Sequence, residues 1–359
     1  MKKQLGAPPV LLGYNYSPRE AKDSASKNKL LSIRVETSAD CNLRCCYCNG
    51  VSGRKLPGEI SFKTLKTAIS EAKALGARSV VVIGGGEPTV YPYFKPLVSY
   101  IDDLEMIPVI ITNAININPE LAVFLYKHNA SVLFKLDSLI ERTQDYLAGK
   151  KGAYRLIKKG INNLFSVGFN RSKGKQLRCG ASFVLTKKNY HEIPAIWRFC
   201  RDNNIYPNFE DFIPRNRGLK NLKQLALSKN KIRKIKQELL DIDNRAYGYN
   251  WLVYTPLPGH GCLQNMYSLY ISSQGYIRPC ADVDIKLFNI KKMKLSQAMK
   301  APFFEFARNI REHLKGKCYR CEHNDICIGC RGNAFSTGTN EGLDIYKAFC
   351  QEDPLCWKN

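Results

Sequence analysis

Apolar positions in this chain gather into short runs bounded by polar and turn-forming residues. "LSIRVET" (31 to 37), "SVVVIGGG" (79 to 86), "PVIITN" (108 to 113), "SVLFKLD" (131 to 137), "CGASFVLT" (179 to 186) and "NFEDFIP" (208 to 214) have the length and β-branched content of buried strands. Between them apolar residues recur at three- and four-residue intervals, predicting helices from Ser61, Asn118, Ala153 and Tyr190. Strand and helix alternate six times. This alternation predicts an α/β fold of parallel βα units, either an open doubly wound sheet or a partial barrel, with functional residues at the C-terminal ends of the strands.

The chain has 359 residues, 44% hydrophobic and 24% charged, enough for one large core plus a smaller module. No run of about 18 apolar residues exists, and the first twenty residues hold too short an apolar segment for a signal peptide. The expectation is a cytoplasmic protein with no membrane partner. In a reducing compartment its 14 cysteines read as metal ligands rather than disulfides. They fall into two groups. Cys41, Cys45, Cys46 and Cys48 lie just after the first strand, and Cys262, Cys280, Cys318, Cys321, Cys327, Cys330, Cys350 and Cys356 crowd the last hundred or so residues. Cys179 and Cys200 stand between and read as buried thiols, as does Cys46.

The first group contains C-x3-C-x2-C, from Cys41, Cys45 and Cys48. Zinc ribbons pair two C-x2-C knuckles, and nothing nearby completes a tetrahedral set. Three thiolates on one tight loop suit a [4Fe–4S] cube instead, leaving one iron open to another ligand.

Together with "GGGEP" at Gly84 to Pro88, the loop "CNLRCCYC" resembles the radical S-adenosylmethionine (SAM) enzymes over about residues 30 to 220. The resemblance implies a partial (β/α)6 TIM-like barrel whose open iron is chelated by SAM, and reductive cleavage of SAM to a 5′-deoxyadenosyl radical that abstracts a substrate hydrogen. It implies that Gly85 and Gly86 admit the methionine moiety and that Glu87 accepts from its ammonium. Tyr47 stands where the family has an aromatic adenine contact. Thr112 and Asn113, and Asp137 and Ser138, end strands where it places ribose or substrate contacts. Here "TNA" stands where relatives commonly show Thr-Asn-Gly.

The later cysteines resemble a SPASM domain, the module that holds auxiliary [4Fe–4S] clusters: Cys262-x12-Gly275-x4-Cys280, then Cys318-x2-Cys321-x5-Cys327-x2-Cys330, then Cys350. Relatives often have three residues before the fourth cysteine of the central run, and Cys356 is additional; read alone, "CYRC" and "CIGC" fit zinc as well. The crossed pattern of the family implies an outer cluster on Cys318, Cys321, Cys327 and Cys350, and an inner one on Cys262, Cys280 and Cys330. Either Cys356 or another group completes the inner set, or a site stays open. The expected organisation is an N-terminal extension (1–29), the barrel (30–220), a basic helical linker (221–260) and the SPASM domain (261–359).

Net charge is +24, with a basic helical stretch at 228 to 245. This balance fits nucleic acid, an acidic leader peptide or a phosphorylated metabolite, and equally a lysine-rich solvated face. Arg215 and Arg217 of "PRNRG" are candidates to clamp a substrate carboxylate or phosphate. His191 and His260 lack metal-ligand spacing and read as structural. The implied activity is oxidative modification, dehydrogenation or cross-linking, of a peptide or protein, with a flavodoxin or ferredoxin as reductant. About forty residues precede Cys41, too few for the winged-helix leader-peptide module of many peptide maturases. The alternatives are oxidation, epimerisation or decarboxylation of an aminosugar or nucleoside, RNA modification, and a non-enzymatic iron–sulfur protein. "GGGEP" argues against the last, since a pure carrier needs no methionine-binding strand.

Overall fold

The computed structural model describes residues 5–172, 174–253 and 262–358; His260 lies outside them. Six strands run parallel: β1 (Ser32–Glu36), β2 (Ser79–Ile83), β3 (Ile107–Thr112), β4 (Ser131–Lys135), β5 (Cys179–Leu185) and β6 (Tyr206–Asp211). Each expected strand is present, shifted by a few residues at most. Helices cross over between them, with Ser61 and Asn118 capping Phe62–Ala74 and Pro119–Lys127 through their side chains. Two further helices, Phe94–Asp103 and Glu141–Ala148, were not expected from the apolar spacing.

The C-terminal module is not a separate bead. Its first elements, β7 (Ser268–Ile271) and β8 (Ile277–Arg278), extend the sheet beyond β1, giving the order β8-β7-β1-β2-β3-β4-β5-β6. β7 pairs parallel with β1 over Ser32 to Val35, so the edge beside the first cysteine loop is closed by C-terminal residues. Beyond β8, Phe303, Phe304, Phe306, Phe349 and Tyr346 pack ring against ring and form the apolar support of the cysteine-rich lobe.

Strand alternation divides the interior. Ile33, Val35, Val80, Val82, Ile110, Val132 and Phe134 pack under the helices. The opposite face starts apolar, with Val81, Val109 and Leu133, and there Leu11 and Tyr14 of the N-terminal extension insert as a stopper. The Ser79 hydroxyl donates to the Gly13 carbonyl at 2.6 Å and holds that stopper in place. Towards the strand ends the same face turns polar, with Glu36, Lys135, Ser182 and Glu210.

The basic stretch forms helix Lys229–Ile242, capped by Ser228. It is more than a solvated face: Ile232, Ile235 and Leu239 are in the core, and Lys236, 1% exposed, pairs with Asp211 at 2.9 Å. Cys179 and Cys200 are fully buried, matching the structural reading of both. No helix among the described residues is long and apolar enough to cross a membrane.

Candidate active site

A cavity of about 420 Å³ opens at the C-terminal ends of the strands. Its lining includes Cys41, Cys45 and Cys48, Gly84 to Glu87, Thr112 and Asn113, and Cys262, Cys280 and Cys330. The two cysteine groups, more than two hundred residues apart, thus share one chamber.

The first loop is held by backbone contacts that only small residues permit. The Gly86 amide donates to the Ser38 carbonyl at 2.9 Å, and the Glu87 amide to the Asp40 carbonyl at 2.8 Å. A methyl on Gly86 would lie 1.7 Å from the Asp40 oxygen, and one on Gly84 would lie 1.4 Å from the Gly86 oxygen. From the far side, Arg217 donates through Nε to the Cys45 carbonyl at 3.1 Å and through Nη1 to that of Ser52 at 2.8 Å. The Gly218 amide reaches the Cys48 carbonyl and the Asn221 side chain the Cys46 carbonyl. Arg215 meets Asp284 at 3.2 Å. Both arginines are therefore engaged by protein groups, with Arg217 acting as a brace for the loop.

Three features fit this chamber to an iron cluster with a polar ligand. Its three loop thiols, Cys41, Cys45 and Cys48, line one space. Cys41 and Cys45 sit in a buried setting that pushes both thiols up, a setting in which a bound cation would favour their thiolate forms. Ser273 Oγ and Asp211 Oδ1, both on the wall, are buried without a hydrogen-bond partner among the described residues.

Of the other expected residues, Tyr47, Gly85, Gly86, Glu87, Thr112 and Asn113 are in the wall. Glu87 is nearly saturated: Oε1 accepts from the Thr89 amide and hydroxyl and from Thr112, and Oε2 from the Asn113 amide at 2.7 Å. Asp137 and Ser138 do not reach the cavity. Both are fully buried; Asp137 accepts from the Tyr47 hydroxyl and the Val184 amide, and Ser138 donates to Glu192. Cys46 sits outside the cavity, packed near Tyr47, Leu147 and Phe212. Cys318, Cys321, Cys327 and Cys350 lie away from the chamber in the cysteine-rich lobe, where Arg331 donates to the Phe349 and Gln351 carbonyls and the Asp353 amide reaches Cys318 Sγ at 3.4 Å. His191 is exposed.

Several wall residues were not picked out from the sequence. Glu36 accepts from Tyr270 and from the Ser273 amide. Lys135 contacts Glu210 and the Ser182 hydroxyl. Asp282 accepts from Asn49. For Glu36 and Lys135 the last positions of β1 and β4 were the available signal; Asp282 had none.

Comparison with known proteins agrees with this architecture. The model of the Radical SAM superfamily matches residues 35–200, and that of an iron–sulfur cluster-binding domain, SPASM, matches 262–322. An AdoMet-dependent heme synthase of Methanosarcina barkeri is 24% identical over 90% of this chain and 95% of its own. Mycofactocin maturase of Mycobacterium ulcerans is 31% identical over 45% of this chain and 42% of its own length. In fold, Streptococcus suis SuiB bound to S-adenosylmethionine superposes with a TM-score of 0.70 at 21% identity, covering 95% of this chain and 81% of that one.

Proposed function

Because the chain belongs to the radical SAM superfamily and carries a SPASM iron–sulfur domain, we propose that it oxidises a peptide or protein substrate held between its two cysteine groups. 4Fe–4S clusters and S-adenosylmethionine are its cofactors. The observation that carries the reading is the single chamber whose lining includes both Cys41, Cys45 and Cys48 and Cys262, Cys280 and Cys330.

In this reading Cys41, Cys45 and Cys48 would hold the first cluster, which when bound would supply the reducing electron for radical chemistry on S-adenosylmethionine. The chain's own residues do the rest by position. Gly84 to Gly86 keep the floor low beneath the methionine end, and Ser273 Oγ and Asp211 Oδ1 supply unpaired polar contacts. Tyr47, fixed through Asp137, presents its ring to the chamber. Leu11 and Tyr14 exclude water from the opposite end. Cys262, Cys280 and Cys330, in the same lining, would hold a second cluster able to accept an electron, chemistry that suits net oxidation. An external reductant of the flavodoxin or ferredoxin class completes the cycle.

The peptide class is supported by the mycofactocin maturase match and by a fold likeness to SuiB bound to the precursor peptide SuiA. A second reading, a small-molecule substrate, is supported by the heme synthase likeness, which spans nearly the whole chain. One experiment separates them. Anaerobically reconstituted enzyme with dithionite and SAM is given a deuterated cell extract split by a size-excluding membrane. Deuterium entering 5′-deoxyadenosine from the retained fraction supports the peptide; transfer from the filtrate alone refutes it.

A further inference from the structure

The inner cysteine group holds three thiols, and a carboxylate shares their chamber. Asp282 lies two residues after Cys280 and lines the same chamber as Cys262, Cys280 and Cys330. Its position is tightly set. A methyl on Gly332, in the first turn of the helix that Cys330 caps, would lie 2.4 Å from the Asp282 Cβ. Asp282 Oδ1 accepts from Asn49 at 2.8 Å and has Arg215 at 3.9 Å. Oδ2 takes no hydrogen bond among the described residues.

Cys356 belongs elsewhere. It does not line the chamber: its amide donates to the Asp353 carbonyl at 3.2 Å, its carbonyl accepts from Lys317 at 2.7 Å, and the Asp353 amide in turn reaches Cys318 Sγ.

We propose that the carboxylate of Asp282, through Oδ2, is the fourth ligand of the inner auxiliary cluster. The inference rests on the reading that Cys262, Cys280 and Cys330 hold a cluster. A hard carboxylate is a weaker iron ligand than a thiolate, yet by filling the corner it leaves no iron open there. The Asn49 contact also ties that corner to the residue after Cys48, so the two ends of the chamber are positioned together.

The test uses the full chain with Cys41, Cys45 and Cys48 replaced by alanine, which removes the open iron of the first cluster. After anaerobic reconstitution and reduction, ¹³C-cyanide is added and electron–nuclear double resonance is recorded. No ¹³C coupling is expected in this background. Strong coupling is expected after Asp282→Ala, and none after Asp282→Cys, which also serves as the folding control. Coupling in the background itself, or its absence in Asp282→Ala of equal iron content, overturns the proposal. Should Asp282→Ala not fold, Asp282→Asn is expected to raise the inner cluster's midpoint potential through loss of an anionic ligand; an unmoved potential overturns it. Cys356→Ala is expected to leave the inner signal unchanged, and a loss of that signal refutes the assignment of Cys356. Failure of SPASM cysteines to retain any iron would instead refute the underlying cluster reading.

Discussion

Tyr47 donates its hydroxyl to Asp137 Oδ2 at 2.5 Å, joining the cysteine loop to the end of β4. The carboxylate is fully buried, and its other oxygen accepts from the Val184 amide at 2.9 Å. Losing a donor to a buried charged acceptor costs roughly 1–3 kcal/mol. Tyr47→Phe is therefore expected to lower the thermal midpoint while keeping much of the SAM cleavage per folded chain. Tyr47→Ala, which also removes part of the chamber wall, is expected to lose most of that cleavage. Release of 5′-deoxyadenosine, measured beside calorimetry, separates the two.

The four early cysteines divide three to one. Cys41, Cys45 and Cys48 face the chamber, and Cys46 packs outside it. Alanine at Cys45 is expected to remove about four irons per chain and to abolish 5′-deoxyadenosine release. Alanine at Cys46 is expected to change neither. Iron analysis and product chromatography on the two variants decide the ligand set.

Two adjacent glycines differ in what they tolerate. A Cβ at Gly86 meets the backbone oxygen of Asp40 at 1.7 Å, whereas one at Gly85 meets the end of the Glu36 side chain at 2.9 Å. Backbone cannot rotate away and a carboxylate can. Gly86→Ala is expected to displace the cysteine loop and to prevent loading of the first cluster. Gly85→Ala is expected to keep iron while shifting Glu36 and weakening SAM binding several-fold. Iron content and SAM equilibrium dialysis read the difference.

Lys236 and Asp211 form a buried pair at 2.9 Å between the basic helix and the last parallel strand. Breaking such a pair from one side costs about 3–5 kcal/mol, so Lys236→Met should unfold at markedly lower denaturant, and Asp211→Asn in addition should recover much of the loss. Burial raises the Asp211 carboxyl above its usual range, with Lys236 opposing. In the window between ordinary and raised values the folded chain keeps a proton that the unfolded chain releases, so this group's contribution to stability falls as pH rises. Lys236→Met moves the upper end of that window to higher pH. Denaturation midpoints measured across the acidic range check the sign.

Ala114 has φ +63°, a left-handed conformation that costs a non-glycine residue about 1–2 kcal/mol. This explains the glycine usually found after Thr-Asn in similar sequences. Ala114→Gly relieves that strain and loses a buried methyl worth about 0.8 kcal/mol, together with some unfolded-state entropy. The expected stability change is close to zero, within about 1 kcal/mol. A loss above about 2 kcal/mol in chemical denaturation, well beyond these terms, would show that the conformation is unstrained.

The strands were legible because β-branched runs buried on both faces have few other uses. Helix Phe94–Asp103 was hidden by Pro96 in its first turn, and Glu141–Ala148 by its polar content. The cysteine spacings exposed both metal-binding regions. Arg215 and Arg217 read equally well as substrate clamps, and only tertiary structure reveals that they hold protein groups. Lys236 is one lysine in a run of solvated ones, and its burial depends on Asp211 lying opposite. Asp282 sits in "CADVDI" with nothing local to distinguish it from Asp284; its neighbours Cys262 and Cys330 come from distant segments.

The inserted Leu11 and Tyr14 give the reaction chamber a blind end. Apolar side chains thus shut the inner face of the sheet on the side of Val81, Val109 and Leu133, and leave its polar strand ends as the side on which Cys41, Cys45 and Cys48 open.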